Sequence, residues 1–304
     1  MTQTAPAPVT GQEITHPACP VCFSSGATRF AFERSGNAIY SCGVCGLEFQ
    51  FPQPSDETLA AIYSSGYFLG SKSAQSLKNQ RDLKRATARL YLDVLAPFLP
   101  KSGARLLEVG CGHGEFLIEA QSRDCEVEGL EYSAHAASEA NLQLGSDAVH
   151  VGSPEVDCLT PSAYSLIAAF DVIEHLRRPR QALEYFYTAL KPGGTLAIVT
   201  PSLDSWSRHL LGRYWMEYKT EHLTYFSRKS LTRLLTLIGF VDIQFFPNYK
   251  TLNLEYVAAH FDRFPVPLAT PVMRLLRRIA PDKLARKSVN VVASGVMAIA
   301  KKGL

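Results

Sequence analysis

This chain of 304 residues has no long apolar run and no excess of one charge. No apolar stretch reaches about 18 residues, the length that a membrane-spanning helix needs, so no membrane span is expected. The formal net charge of +3 gives no global electrostatic field that would favour nucleic-acid binding. The N-terminus carries neither a basic region nor an apolar core, so we predict no signal peptide and expect a cytoplasmic location.

The composition is that of an ordinary globular protein, with 46% hydrophobic and 19% charged residues. A chain of this length predicts one large domain and a small module. Residues 1–16 are rich in threonine, proline and alanine, and we predict a disordered tail there.

Cysteine is present in an informative pattern, because four of the seven cysteines form two C-x2-C pairs near the N-terminus. The four are Cys19, Cys22, Cys42 and Cys45, with 19 residues between the pairs. This spacing predicts a zinc ribbon over 17–52, in which four thiolates leave no open position and the metal is structural. Free or disulfide-bonded thiols are the alternative, which a cytoplasmic location disfavours.

Glycine occurs at alternate positions after an apolar run, in Leu-Leu-Glu-Val-Gly-Cys-Gly-His-Gly over 106–114. A helical pattern begins at Glu115, so the segment predicts a strand, a tight turn and a helix. Glycine lets such a turn approach a ligand closely because it has no Cβ. Glu108 lies at the end of this strand, and a second predicted strand over 127–131 ends in Glu131.

Alternating strands and helices continue along the chain and predict a parallel sheet with helices on both faces. Further strands are predicted at 148–151, 165–170, 195–200, 241–246 and 291–300, with a helix over 227–238. The E-x-G-x-G-x-G turn, Glu131 and the segments Asp-Val-Ile-Glu-His and Glu-His-Leu-Thr-Tyr-Phe resemble the class I S-adenosylmethionine (SAM) methyltransferases. The resemblance is to their small-molecule, type-23-like branch, and it covers roughly 100–247.

The resemblance implies an α/β fold with a Rossmann-like sheet of seven strands, preceded by the small zinc ribbon. It implies SAM as the methyl donor and Zn²⁺ as a structural ion. The residues that it implies for SAM binding are Glu108, Gly110, Gly112, Gly114, Glu131, Tyr132, Phe170 and Asp171. Glu131 is expected to accept hydrogen bonds from both ribose hydroxyls, since a carboxylate accepts two at once.

Two histidines compete as the general base, His175 in the loop after the fourth strand and His222 in a lid-like segment. A histidine with a pKa near neutrality suits that role, although both also suit structural links. Asp171, Glu174 and His175 form an alternative set for a divalent ion, as in some quinone O-methyltransferases.

The remaining segments are expected to surround the catalytic domain, assigned to 101–304. Residues 53–100 form a helical cover, and 201–226 and 248–287 form insertions at the acceptor pocket. The second insertion has a basic amphipathic pattern over 273–287. That pattern fits a solvated helix face, or a surface for a membrane, an acidic partner or a phosphate-bearing substrate.

The predicted function is methyl transfer from SAM to a small molecule, such as a sugar, a nucleotide-sugar or a secondary-metabolite intermediate. One alternative is an RNA or protein methyltransferase whose ribbon binds the polymer. The ribbon carries only Arg29 and Arg34 against Glu33 and Glu48, which disfavours nucleic acid. Another alternative is a catalytically silent scaffold. The acceptor atom and the oligomeric state stay open.

Overall fold

The structure, a computed structural model, describes residues 17–64, 74–156, 159–263, 265–266 and 269–304. The predicted tail at 1–16 lies outside the described residues. Within these ranges, none of the helices is long and apolar enough to cross a membrane.

The chain begins with three short antiparallel strands, β1 (Thr28–Arg34), β2 (Asn37–Cys42) and β3 (Glu48–Gln50). Helices α1 (Asp56–Ser64) and α2 (Ala74–Leu95) follow, within the helical cover predicted at 53–100. Helix α2 gives way to a 3-10 turn over Ala96–Phe98, because Pro97 cannot continue the α-helical hydrogen bonds.

The central part of the chain then consists of strands that are connected mainly by helices, as predicted. They are β4 (Arg105–Val109), α3 (Glu115–Gln121), β5 (Glu126–Glu131), α4 (Ala134–Leu144), β6 (Val149–Val151), β7 (Tyr164–Phe170), α5 (Pro179–Ala189) and β8 (Leu190–Pro201). These five strands are parallel. Strand β7 is a continuous apolar run because helices cover both faces, and its Leu166, Ile167, Ala168 and Ala169 are fully buried.

The last part of the chain completes the sheet. Its elements are α6 (Trp206–Leu211), β9 (Thr224–Tyr225), α7 (Arg228–Ile238), β10 (Phe240–Leu252), α8 (Leu254–Arg263), α9 (Ala269–Ile279), α10 (Asp282–Ala285) and β11 (Val289–Lys302). The seven strands have the order β10-β11-β8-β7-β4-β5-β6, with β11 antiparallel to both neighbours. The predicted seven-stranded Rossmann-like fold is confirmed. Strand β10 extends to Leu252, so the first residues of the predicted 248–287 insertion lie in the sheet.

Candidate active site

The glycine turn connects β4 to α3 at the carboxyl end of the parallel strands. Gly110, Gly112 and Gly114 all have left-handed backbone conformations, with φ of 70°, 55° and 80°. A Cβ at Gly110 would lie 2.5 Å from Val172 Cγ2, whereas a Cβ at Gly112 would meet nothing within 4 Å. Gly110 is therefore required by packing, and Gly112 opens onto free space that a ligand can approach.

Glu131 links this turn to the end of β5. One carboxylate oxygen accepts the Gly112 N–H at 2.8 Å, and the other accepts the Ser133 N–H at 2.8 Å. The side chain is buried. An ionised carboxylate offers about four lone-pair sites, so each oxygen keeps capacity for a further donor.

A first cavity of about 490 Å³ lies beside Glu131. Its wall includes Gly110, Leu130, Glu131, Tyr132, Ser153, Asp171, Val172 and His175, with Asp56 and Leu59 from α1. The Tyr132 ring is largely exposed at this wall. The structure thus brings Gly110 of the glycine turn, Glu131, Tyr132, Asp171 and one of the two candidate histidines to one cavity.

Four of the predicted donor-site residues, Glu108, Gly112, Gly114 and Phe170, lie away from the described wall of this cavity. Glu108 is buried and one of its oxygens has no hydrogen-bond partner. Burial raises the pKa of its carboxyl well above the ordinary value, and the charges of Glu115 and Glu131 raise it further. Phe170 packs against Tyr91 and Phe116, with ring centroids 4.8 and 4.9 Å apart. Their roles in SAM binding stay predictions.

Asp171 lines both the first cavity and a second cavity of about 620 Å³. It follows β7 with a left-handed φ of 55°, and its carboxylate forms an ion pair with Lys250 Nζ at 2.6 Å. Burial opposes the charge of Lys250, but Asp171 raises the pKa of this amine above its usual range. Lys250 comes from β10, and the sequence analysis did not identify it.

The second cavity is formed by the two predicted insertions. Its apolar wall includes Trp206, Leu210, Met216, Leu252, Val257 and Phe261, and its polar groups include Glu174, Glu217, Lys219, His222 and His260. Lys219 Nζ lies 3.0 Å from a Glu217 carboxylate oxygen. Burial works against the charge of Glu217, yet Lys219 holds the pKa of its carboxyl well below the usual range. Residues 65–73 of the predicted helical cover lie outside the described residues.

The two candidate bases are neighbours whose rings meet edge to face, with centroids 4.7 Å apart. His175 lines the first cavity and His222 the second. Burial, and then the charge of Lys219, lowers the pKa of His175 to about 4 and that of His222 well below its ordinary value. Both rings are therefore neutral at physiological pH, as a proton acceptor must be, but their pKa values lie below the near-neutral range expected from the sequence because both rings are buried.

A third titratable group lies beside them. Glu174 is buried, and one of its oxygens accepts the Thr200 hydroxyl at 2.9 Å. Burial and then Asp171 raise the pKa of this carboxyl to about 8. Ligand atoms of Glu174, His175 and His222 lie within 4.8 Å of one another, so they could hold a divalent ion. Asp171, in the set predicted from sequence, is instead paired with Lys250.

The four N-terminal cysteines converge on one point. The Sγ atoms of Cys19 and Cys45 are 3.5 Å apart, and those of Cys22 and Cys42 are 3.6 Å apart. All four lie within 4.8 Å of one another, and all are free thiols. A tetrahedral ion with metal–sulfur bonds of about 2.3 Å places sulfurs roughly 3.8 Å apart. The donor set and its spacing fit zinc.

The cysteine-bearing sheet is completed by the segment that carries His222. Strand β9 pairs antiparallel with β3, so the order is β1-β2-β3-β9. Gln50 is buried, and its side-chain amide donates to the carbonyls of Lys219 and His222 at 2.7 and 2.8 Å. Its Nε2 also lies 3.0 Å from the Tyr225 hydroxyl. The ribbon thus fixes the backbone on both sides of His222.

Comparison with known proteins gives a consistent picture. A family model described as "Methyltransferase domain" matches residues 79–244, more than half of the chain. The malonyl-[acyl-carrier protein] O-methyltransferase of Enterobacter lignolyticus is 29% identical over 135 residues, which are 44% of this chain and 52% of that protein. A ubiquinone biosynthesis O-methyltransferase of Paraburkholderia phymatum is 28% identical over 98 residues, which are 31% and 42% of the two chains. The chain spans about half of the length of these curated relatives.

Among solved structures, phosphoethanolamine N-methyltransferase 2 of Haemonchus contortus, in complex with phosphomonomethylethanolamine and S-adenosylhomocysteine, has a TM-score of 0.54 at 17% identity. The match covers 90% of this chain and 71% of that one. At this level of identity the likeness establishes the fold.

Proposed function

This chain belongs to the methyltransferase-domain family of class I SAM-dependent methyltransferases, and we propose that it transfers the methyl group of SAM to a small-molecule acceptor. The observation that carries the proposal is the position of Asp171, which lines both cavities. A donor in the first cavity and an acceptor in the second meet at the end of β7. Holding both reactants in one orientation is the main demand of such a transfer.

The first cavity is assigned to SAM. The spare lone pairs of Glu131 suit two ribose hydroxyls, and Gly110 of the glycine turn lines the same cavity. Tyr132 is proposed to lie against the adenine, and Glu108 to orient the turn. SAM supplies an activated methyl group on a sulfonium, which becomes a neutral thioether when the methyl group leaves.

The second cavity is assigned to the acceptor, and its chemistry favours a neutral molecule with an apolar body. Its wall is largely apolar, and both Lys219 and Lys250 are paired with carboxylates. The diphosphate of a nucleotide-sugar would need cationic partners, and the carboxylates of Glu217 and Asp171 already pair with these two lysines. This supports a secondary-metabolite intermediate among the predicted classes. Both curated relatives named above are O-methyltransferases, which supports a hydroxyl as the nucleophile.

His222 is the proposed base. Its Nδ1 lies 2.9 Å from the Glu217 carbonyl, which can only accept, so the neutral ring carries its proton there. Nε2 then keeps the lone pair that takes the hydroxyl proton of the acceptor as its oxygen bonds to the methyl carbon. His175 makes the same kind of contact with the Glu221 carbonyl, at 3.0 Å, but lines the first cavity.

The test is the release of S-adenosylhomocysteine with a panel of hydroxylated apolar acceptors and nucleotide-sugars. With the acceptor that turns over, His222→Ala should lower kcat by about 100-fold, the lower range for general-base catalysis, and leave the Kd for SAM unchanged. His175→Ala should have the smaller effect on kcat. His209→Ala, in an exposed histidine of α6, is the control. Parental turnover in His222→Ala would remove His222 as the base.

We also propose that Cys19, Cys22, Cys42 and Cys45 bind one structural Zn²⁺. The support is the convergence of four free thiols at distances that suit a tetrahedral site. Small ribbons bury too little apolar surface to be stable alone, and a metal supplies the missing stability. Elemental analysis of the freshly purified chain should give one zinc per molecule.

A further inference from the structure

Helix α9 carries an apolar stripe that the described part of the chain leaves uncovered. Val272, Leu275, Leu276 and Ile279 are 54%, 58%, 42% and 66% exposed. Steps of three and four residues place them on one face of the helix. Isolated exposed apolar side chains are common on proteins, but four adjacent apolar side chains on one helix face mark an interaction surface.

The same region is strongly basic. Residues 269–287 contain six basic side chains and one acidic side chain, Asp282. Arg274 and Arg277 form ion pairs with Asp262 and Asp282. The exposed basic residues Arg278, Lys283 and Lys287 form no ion pair within the described ranges. The stripe is therefore flanked by positive charge that the protein itself does not neutralise.

We propose that α9 docks on an anionic membrane surface, with its apolar stripe inserted at the level of the lipid headgroups. Low overall hydrophobicity, an apolar face and arginines on the remaining face are the features of helices that lie in a membrane interface. Each basic residue near an anionic leaflet contributes about fivefold to the affinity.

The charge also discriminates between possible occupants of the stripe. In a dimer formed through two α9 helices, the basic side chains of both copies would be brought together, and like charges across an interface are unfavourable. Nucleic acid would neutralise the charge but would leave the apolar stripe in water. An anionic lipid surface satisfies both properties at once.

Docking would place the second cavity near the membrane. Ala269, the first residue of α9, lines this cavity, and a helix of 11 residues is only about 16 Å long. The docking surface itself does not depend on the proposed methyl transfer, because neither the stripe nor the unpaired basic residues line either cavity.

The experiment is co-sedimentation of the full chain with vesicles of phosphatidylcholine, with or without phosphatidylglycerol. We expect binding only to the anionic vesicles, and weaker binding at high salt. The double variant Leu275→Asp/Ile279→Asp should bind at least tenfold more weakly, and so should Arg278→Glu/Lys283→Glu. The matched controls are Leu142→Asp, in a leucine of α4 that is 76% exposed, and Lys101→Glu/Lys191→Glu, two exposed lysines elsewhere. All variants should bind SAM like the parent chain.

Failure of the parent chain to bind anionic vesicles would overturn the proposal, as would parental binding by the two α9 variants. Sedimentation velocity tests the alternative that a second copy of the chain covers the stripe. If the parent chain is a dimer in solution and does not bind vesicles, while Leu275→Asp/Ile279→Asp is a monomer, the stripe is an interface between copies of the chain.

Discussion

At the scale of the residue, Asp171 shows which part of the site the sequence could predict. Its position after a buried apolar strand marked it as a site residue, because the carboxyl ends of parallel strands border the ligand in such sheets. Its partner Lys250 lies 79 positions later in the chain. No local pattern indicates that contact, since it depends on the register of β10 in the folded sheet.

Glu131 is the residue whose replacement tests the donor site most directly. Glu131→Ala should weaken SAM binding by about 1.5–3 kcal/mol, the range for hydrogen bonds to a charged group, because the ribose hydroxyls lose their acceptor. The measurement is titration calorimetry. Glu128→Ala, in the same strand but paired with Arg105 on the surface, is the control and should keep the parental affinity. Equal SAM affinity in Glu131→Ala and the parent would contradict the assignment.

At the scale of the element, the strand–turn–helix unit at 105–121 was predictable because local rules decide it. Buried parallel strands read as apolar runs, and alternate glycines allow the left-handed turn. The long strands β10 and β11 were predicted too short. The residues missed at their ends, such as Tyr249 and Val289, are exposed, so no buried apolar run in the sequence indicates them. Pairing with each other extends them.

The turn itself offers a test that separates steric contact from backbone strain. Gly110→Ala should destabilise the fold by about 2–4 kcal/mol, adding a clash with Val172 to the cost of a left-handed alanine. Gly103→Ala is the matched control, since Gly103 has φ of 65° and open space around its Cβ position. It should cost only about 1–2 kcal/mol. Urea unfolding measures both.

The companion variant Val172→Ala completes a double-mutant cycle. Combined with Gly110→Ala, it should recover part of the lost stability because it removes the atom that the new Cβ meets. If the two substitutions are simply additive, the packing of Val172 against the turn is not the reason for glycine at 110.

At the scale of the whole molecule, the N-terminal ribbon and the segment that carries His222 form one small sheet, β1-β2-β3-β9. The C-x2-C spacing predicted the ribbon, but no sequence signal predicted that β9 would become its fourth strand. The contact joins residues 169 positions apart, from Gln50 to Lys219. Such contacts are non-local, because each depends on how the whole chain between the two residues folds. The consequence is that the N-terminal cysteine module supports the backbone beside the second cavity.

Removal of the proposed zinc should therefore lower turnover more than donor binding. Cys42→Ser, or chelation of the metal, should loosen β3 and with it the carbonyls of Lys219 and His222 that Gln50 holds. The Kd for SAM should stay within about threefold of the parental value, because the first cavity is lined by residues of α1 and the central sheet. Gln50→Leu keeps the metal but removes the same hydrogen bonds, so it should reproduce the loss of kcat.

Gln181→Leu, on α5 and bonded only to Tyr185 of its own helix among the described contacts, is the control. The measurements are metal content, SAM calorimetry and initial rates on one set of preparations. Parental rates in a metal-free chain, or in Gln50→Leu, would show that the ribbon does not position the acceptor loop. A parallel loss of SAM affinity would show instead that the whole fold depends on the metal.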